Sequence, residues 1–148
     1  MITDNLVSWR GLLTFEDVQI GRKHSATRAF SAEEVDAYGH LSGDLNPLHM
    51  DQEFASHSPF GRRVVPGILT AGMVSMAHTE LTGPGFAYVG QELRFPEPLF
   101  IGETVICEVT VVGKKEAKQI LILDTMVRKK SGEAVLSGLS ALKKLKFR

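Results

Sequence analysis

The chain has 148 residues, 43% hydrophobic and 23% charged, with 17 Lys+Arg against 17 Asp+Glu. This balance excludes a disordered or strongly basic chain and gives no reason to expect nucleic acid or a membrane as partner. No apolar run approaches the roughly 18 residues that span a bilayer, and Cys107, the single cysteine, has no intrachain disulfide partner. One cytoplasmic domain over residues 1–148 is expected.

Residues 1–22 read as a lead-in, with Phe15, Val18 and Ile20 as apolar anchors and Gly21 as a break. Met1 to Asn5 has neither the charged nor the apolar region of a signal peptide. Lys23 to Phe30 alternates loosely and is expected as a first strand. Ser31-Ala32-Glu33-Glu34 is a capping-box pattern and predicts a helix carrying Val35, Tyr38 and Leu41 on one face.

That helix runs into Ser42-Gly43-Asp44-Leu45-Asn46-Pro47-Leu48-His49, the most informative stretch of the chain. Gly43 permits positive φ, Pro47 fixes φ, and Asn46 before it is pushed out of the helical region. Such a bend can turn Asp44 and His49 toward one point, where a carboxylate and an imidazole on one water make an acid/base pair. On these residues alone a purely structural use is the favoured reading: Asp44 capping a turn and His49 bonding nearby backbone.

Asp51 is an expected N-cap for a short helix over Gln52 to Ala55, ending before Pro59 and Gly61. Pro66-Gly67 then opens a long apolar helix to about Leu81. The free N–H groups at its start form an oxyanion site, and Gly67 lets a carbonyl come close. Ser75, about two turns on, either faces the same cavity or bonds the preceding carbonyl. His78 is expected at the surface or as a cap near the helix end.

After Gly83-Pro84-Gly85 the pattern is β. Phe86 to Phe95 is expected as one strand, with Pro96 and Pro98 at a corner. Glu103 to Val112 follows, turned by Gly113-Lys114-Lys115 into Gln119 to Arg128, and Lys130-Ser131-Gly132-Glu133 turns that into Ala134 to Leu142. Cys107 falls in an apolar alternation and reads as a core thiol. The basic tail Lys143 to Arg148 is a solvated end or, less simply, a dock for an acidic carrier protein. Three strands after one apolar helix predict an α+β fold with a curved antiparallel sheet around that helix. The five histidines show no metal-ligand spacing, and no phosphate-binding glycine fingerprint can be written, so neither metal nor bound cofactor is expected.

Taken together, Ser42-Gly43-Asp44, Asn46-Pro47-Leu48-His49, Phe54-Ala55, Pro66-Gly67-Ile68-Leu69 and Gln91-Glu92-Leu93-Arg94-Phe95 with Pro98-Leu99 resemble the MaoC-like dehydratases. These include the (R)-specific enoyl-CoA hydratases. The likeness runs from about Phe30 onward. Pro66 departs from it, since many relatives carry His before the glycine; this removes one backbone donor and leaves the Gly67 N–H. The resemblance implies a hotdog fold, side-by-side homodimers or higher homo-oligomers, and a coenzyme A or acyl carrier protein thioester as substrate. It also implies interconversion of trans-2-enoyl and (R)-3-hydroxyacyl thioesters, with Asp44, His49 and Gly67 as catalytic groups. Asn46 is expected to hold the turn and to bond Asp44 or the water. Ser42, Ser75, Arg62 and Arg63 complete the expected substrate-binding set, the arginines meeting coenzyme A phosphates or forming a solvated loop pair. Two other functions remain compatible with these residues: a thioesterase, and a non-catalytic acyl-thioester binding module.

Overall fold

The computed structural model describes residues 12–148, so the first part of the expected lead-in lies outside the described residues. Within the remainder of that segment Phe15 and Val18 are buried, whereas Ile20 is 63% exposed and anchors nothing.

Among the described residues five strands form one antiparallel sheet: β1 (Lys23–Ala29), β2 (Phe86–Gln91), β3 (Thr104–Lys115), β4 (Ile120–Lys129) and β5 (Ala134–Lys144). Their spatial order is β1-β3-β4-β5-β2, so β3, β4 and β5 meander in the middle and β2 lies at one edge. Alternation decides which face is covered. Val105, Cys107, Val109 and Val111 of β3 and Leu121, Leu123 and Val127 of β4 are all fully buried. Among the described residues four α-helices join the sheet: α1 (Ala32–Ser42), α2 (Pro47–Met50), α3 (Gln52–Ser56) and α4 (Gly67–Thr82). The long α4 packs on β1, β2, β3 and β5 and places Met73, Val74, Ala77 and Leu81 in the core. This is the hotdog arrangement, a sheet around one central helix. Among the described residues no helix is long and apolar enough to cross a membrane.

Several local expectations differ from the structure. Gly113 is not a turn: Val111 pairs with Leu123 and Gly113 with Ile122, so Val112 is the extra residue of a β-bulge and β3 continues to Lys115. Lys114 is held in the sheet because its ammonium donates to the Phe15 carbonyl at 2.7 Å and sits over the Phe15 ring. The turn comes instead at Glu116–Lys118, closed by Gln119 at φ 54°. Strand β2 stops at Gln91 after a bulge near Tyr88 and Gly90. Beyond it the chain crosses β5 closely, with Glu92 N donating to Leu139 O and Arg94 exchanging two bonds with Ser137. Gly138 permits the crossing, because a Cβ there would meet the Glu92 carbonyl oxygen at 1.7 Å. Finally, Leu41 does not join the core face of α1; it is 87% exposed, although Val35 is fully buried.

Candidate active site

The site grows out of the end of α1. Ser31 and Glu34 form the capping box, Glu34 N donating to Ser31 Oγ at 3.1 Å and Ser31 N to Glu34 Oε1 at 3.0 Å. At the other end Gly43 takes φ 80° and donates its N–H to Gly39 O, a left-handed cap that glycine adopts without a Cβ penalty. Gly39 itself is required by packing: a Cβ there would meet the Met50 sulfur at 2.6 Å. Removing the side chain lets α2 lie against α1.

The turn is a relay of side-chain caps. Ser42 Oγ accepts from Asp44 N at 3.1 Å, Asp44 Oδ1 accepts from Asn46 N at 3.2 Å, and Asn46 Oδ1 accepts from Leu48 N at 3.0 Å. Asn46 thereby caps α2, with Pro47 at its first position. Asp51 ends α2 and caps α3 through Phe54 N. Ser42, Asp44 and Asn46 are all exposed. Asp44 Oδ2 makes no hydrogen bond among the described residues.

His49 is anchored differently. Its Nδ1 lies 2.7 Å from Val64 O. A carbonyl oxygen only accepts, so Nδ1 carries the proton and Nε2 is the basic atom of the neutral ring. The backbone around it is fixed at three points. Val64 N donates to Leu48 O, Val65 N donates to Leu99 O, and Arg63 Nε donates to His49 O at 2.6 Å. The guanidinium of Arg63 also pairs with Asp36 on α1, and its side chain is only 13% exposed. Arg63 therefore clamps the His49 carbonyl to α1 and presents no free guanidinium to a phosphate. Arg62 is the exposed member of the pair, with its guanidinium over the Phe100 ring at 4.1 Å and 3.9 Å from Glu103.

His49 and Gly67 share the wall of a small cavity of about 160 Å³, with Thr70, Phe95, Leu99 and Val135 among its other lining residues. Gly67 starts α4 behind Pro66, whose carbonyl already accepts from Leu69 and Thr70. The N–H groups of Gly67 and Ile68 have no acceptor within the helix and are available to an oxyanion. The structure thus brings His49 and Gly67 to one cavity and sets Asp44, Ser42 and Asn46 on the adjoining turn. Ser75 does not line this cavity, and its carbonyl is occupied by the Thr79 hydroxyl. Arg62 and Arg63 border a separate cleft with Gln52 and Ile101. A larger surface cleft of about 430 Å³ beside Asp51, Phe54 and His57 is open to solvent and contains none of Asp44, His49 or Gly67, so size does not locate the chemistry.

Two further findings concern side chains judged from sequence. His78 is no surface cap: it is 97% buried, neither ring nitrogen has a hydrogen-bond partner, and Tyr88 meets it edge-to-face at 4.7 Å. Burial lowers its pKa to about 4, so the ring is neutral. The reason lies in β2, which lays Tyr88 over this turn of α4 and could not be placed from the helix alone. Cys107 is a core thiol, pushed up to about 12 first by burial and then by Glu108, which removes it as a nucleophile. Phe95 and Thr70 were not singled out from sequence; the Gln91-to-Leu99 pattern contains Phe95, but nothing local says that its ring meets Gly67.

Comparison with known proteins places this chain in a family. A model described as MaoC like domain matches residues 16–131. The (R)-specific enoyl-CoA hydratase of Aeromonas caviae is 36% identical over 132 residues, covering 88% of this chain and 98% of that protein. The mitochondrial 3-hydroxyacyl-acyl-carrier-protein dehydratase FERN of Solanum lycopersicum is 36% identical over 126 residues, covering 82% and 74%. Among solved structures, the (R)-hydratase from A. caviae involved in PHA biosynthesis superposes with a TM-score of 0.84 at 36% identity, covering 88% of this chain and 99% of that one.

Proposed function

The chain belongs to the MaoC-like family, and on that premise we propose that it interconverts trans-2-enoyl and (R)-3-hydroxyacyl thioesters as a hydro-lyase. One observation carries the residue assignment. His49 has its Nδ1 committed to Val64 O and shares a cavity wall with the start of α4 at Gly67. In this reading one water is held between Asp44 Oδ2 and His49 Nε2. As its oxygen bonds C3 of the enoyl group, the pair takes one proton from the water and a proton is delivered to C2. Charge moves onto the thioester oxygen, where the Gly67 N–H meets it; losing such a donor typically costs about 2.7–4 kcal/mol in other enzymes. Two titrating groups on one water share the proton, so the base belongs to the pair.

Asn46 positions this pair through the Leu48 cap, and Ser42 through the Asp44 N–H. Arg62, exposed beside Phe100, is the candidate for the coenzyme A phosphates. The named relatives act on coenzyme A or carrier-protein thioesters. A second copy of the chain is the expected partner. The edge strand β2 carries exposed Tyr88 and Val89, and Leu41, Leu45 and Ile68 stand exposed around the site. The single buried cysteine accords with a reducing cytoplasm.

Incubation of the purified protein with crotonyl-CoA tests the reading. 3-Hydroxybutyryl-CoA of R configuration is the expected product. Release of free coenzyme A would replace the hydratase by a thioesterase, and unchanged thioester at every chain length would leave a binding module.

A further inference from the structure

The helix that carries His49, α2, is a single turn of four residues. A helix that short has no cooperative stability of its own, so the position of the imidazole is set by what holds α2 from outside. Residues 63 and 64 do this. Val64 N donates to Leu48 O at 3.2 Å, Val64 O accepts from His49 Nδ1 at 2.7 Å, and Arg63 Nε donates to His49 O at 2.6 Å. The last bond reaches a carbonyl that the end of α2 leaves without an intrahelical partner.

Arg63 is tied at its other end as well. Its Nη2 donates to Asp36 Oδ1 at 2.5 Å, and Asp36 stands on α1, a helix of 11 residues closed by its capping box and by Gly43. Asp36 and Gly39 are three positions apart and share one face of α1. Gly39 is where Met50 of α2 rests on that helix. α1 therefore holds α2 by packing at Met50 and, through Arg63, by a hydrogen bond at His49. A guanidinium carries its donors in one rigid plane, so the fork itself fixes the spacing of Asp36 Oδ1 and His49 O.

We propose that Asp36 and Arg63 are positioning residues for the reaction, holding His49 so that its Nδ1–H stays on Val64 O and its Nε2 stays free as the basic atom. The inference rests on the hydratase reading above, in which neither residue touches the reacting atoms. Without the clamp the end of α2 rocks against Val64 and the Nδ1 bond is lost for part of the time. The neutral ring then also takes the tautomer with its proton on Nε2, and that form has no base to offer the water.

The test measures kcat and KM for crotonyl-CoA on wild type, Asp36→Ala, Asp36→Asn and Arg63→Lys. Nitrogen NMR of the histidine rings at alkaline pH accompanies it, with the His49 signals assigned by their loss in His49→Ala. Asp36→Ala is the cleanest change, because Asp36 is half exposed on α1 and alanine favours the helix. It should lower kcat by about tenfold with KM unchanged, within the roughly 10–100-fold that loss of a histidine-orienting partner costs at metal sites. The His49 shifts should move toward the Nε2-protonated tautomer. Arg63→Lys keeps the charge without the fork and should fall at least as far. Asp36→Asn still offers Arg63 an oxygen and should recover most of both readouts. A clamp that only stabilises the fold would lower the melting temperature and leave kcat per folded molecule and the tautomer as in wild type. That result overturns the proposal, and so does a change in either readout without the other. If wild type hydrates no enoyl-CoA, the hydratase reading fails and takes this inference with it. Hydration by wild type with kcat of Asp36→Ala unaltered rejects the inference alone.

Discussion

His49 on the short helix after the 42–46 turn and His78 in the fourth turn of α4 are the same side chain in opposite surroundings. His49 has a backbone acceptor for one nitrogen, a cavity beside the ring and a clamped main chain. His78 has no acceptor for either nitrogen and no access to water. An imidazole becomes a proton carrier when one nitrogen is tied down and the other is reachable; buried without partners, it is a neutral ring with a desolvation cost. Solvation and fixed partners separate chemistry from packing here, and the residue type does not.

The sharpest way to break this comparison is to remove each histidine. His49→Ala should lower turnover by about 10²–10⁴-fold with the fold intact by circular dichroism, as the loss of a general acid/base does elsewhere. Asp44→Asn should do the same, and on the proposed mechanism, in which both groups act on one water, the double variant should be far from additive. Full activity in a folded His49→Ala protein would move the chemistry elsewhere.

His78 should act on stability and its pH dependence instead. Its folded pKa is lowered from 6.5 to about 4, so between those values the unfolded chain binds the extra proton. The contribution is fully present above pH 6.5 and is lost as pH falls toward 4, by up to about 3 kcal/mol at the lower end. His78→Leu should flatten that part of the stability-versus-pH curve measured by urea unfolding. An equal acid slope in the variant would assign the sensitivity to other groups.

A smaller effect is expected at Gly67, where packing and chemistry coincide. Gly67→Ala puts a methyl into the Phe95 ring and should cost about 1–3 kcal/mol of stability, seen as a lower melting temperature. Adding Phe95→Ala should restore the melting temperature. If turnover on crotonyl-CoA returns with it, Gly67 is glycine for the ring alone; if turnover stays low, close approach of the thioester is what needs the glycine.

Arg62 and Arg63 repeat the lesson at the weakest level. Arg63→Ala should lower the melting temperature by loosening the His49 carbonyl and Asp36, hydrogen bonds from a charged donor being worth about 1.5–3 kcal/mol. Arg62→Ala should change stability by less than about 1 kcal/mol and raise KM for a coenzyme A thioester a few-fold. The same KM for coenzyme A and a truncated pantetheine thioester in wild type would remove the phosphate role.

What was legible in the sequence was local. The Ser31–Glu34 capping box, the Asn46-Pro47 turn, the Asp51 cap and the Pro66-Gly67 helix start each depend on groups within four residues of one another. The β-branched runs of the last third likewise read as strands because alternation marks the covered face. Tertiary structure alone decided the rest. The bond from His49 to Val64 spans 15 positions and that from Arg63 to Asp36 spans 27, so the expected phosphate ligand is a clamp. The bulge at Gly113 reflects β3 running on to hold Phe15 through Lys114, and the burial of His78 reflects an edge strand that local periodicity cannot place. Capping and turn propensities act over a few residues, whereas partner, burial and cavity shape are set by whichever distant segment packs on a side chain.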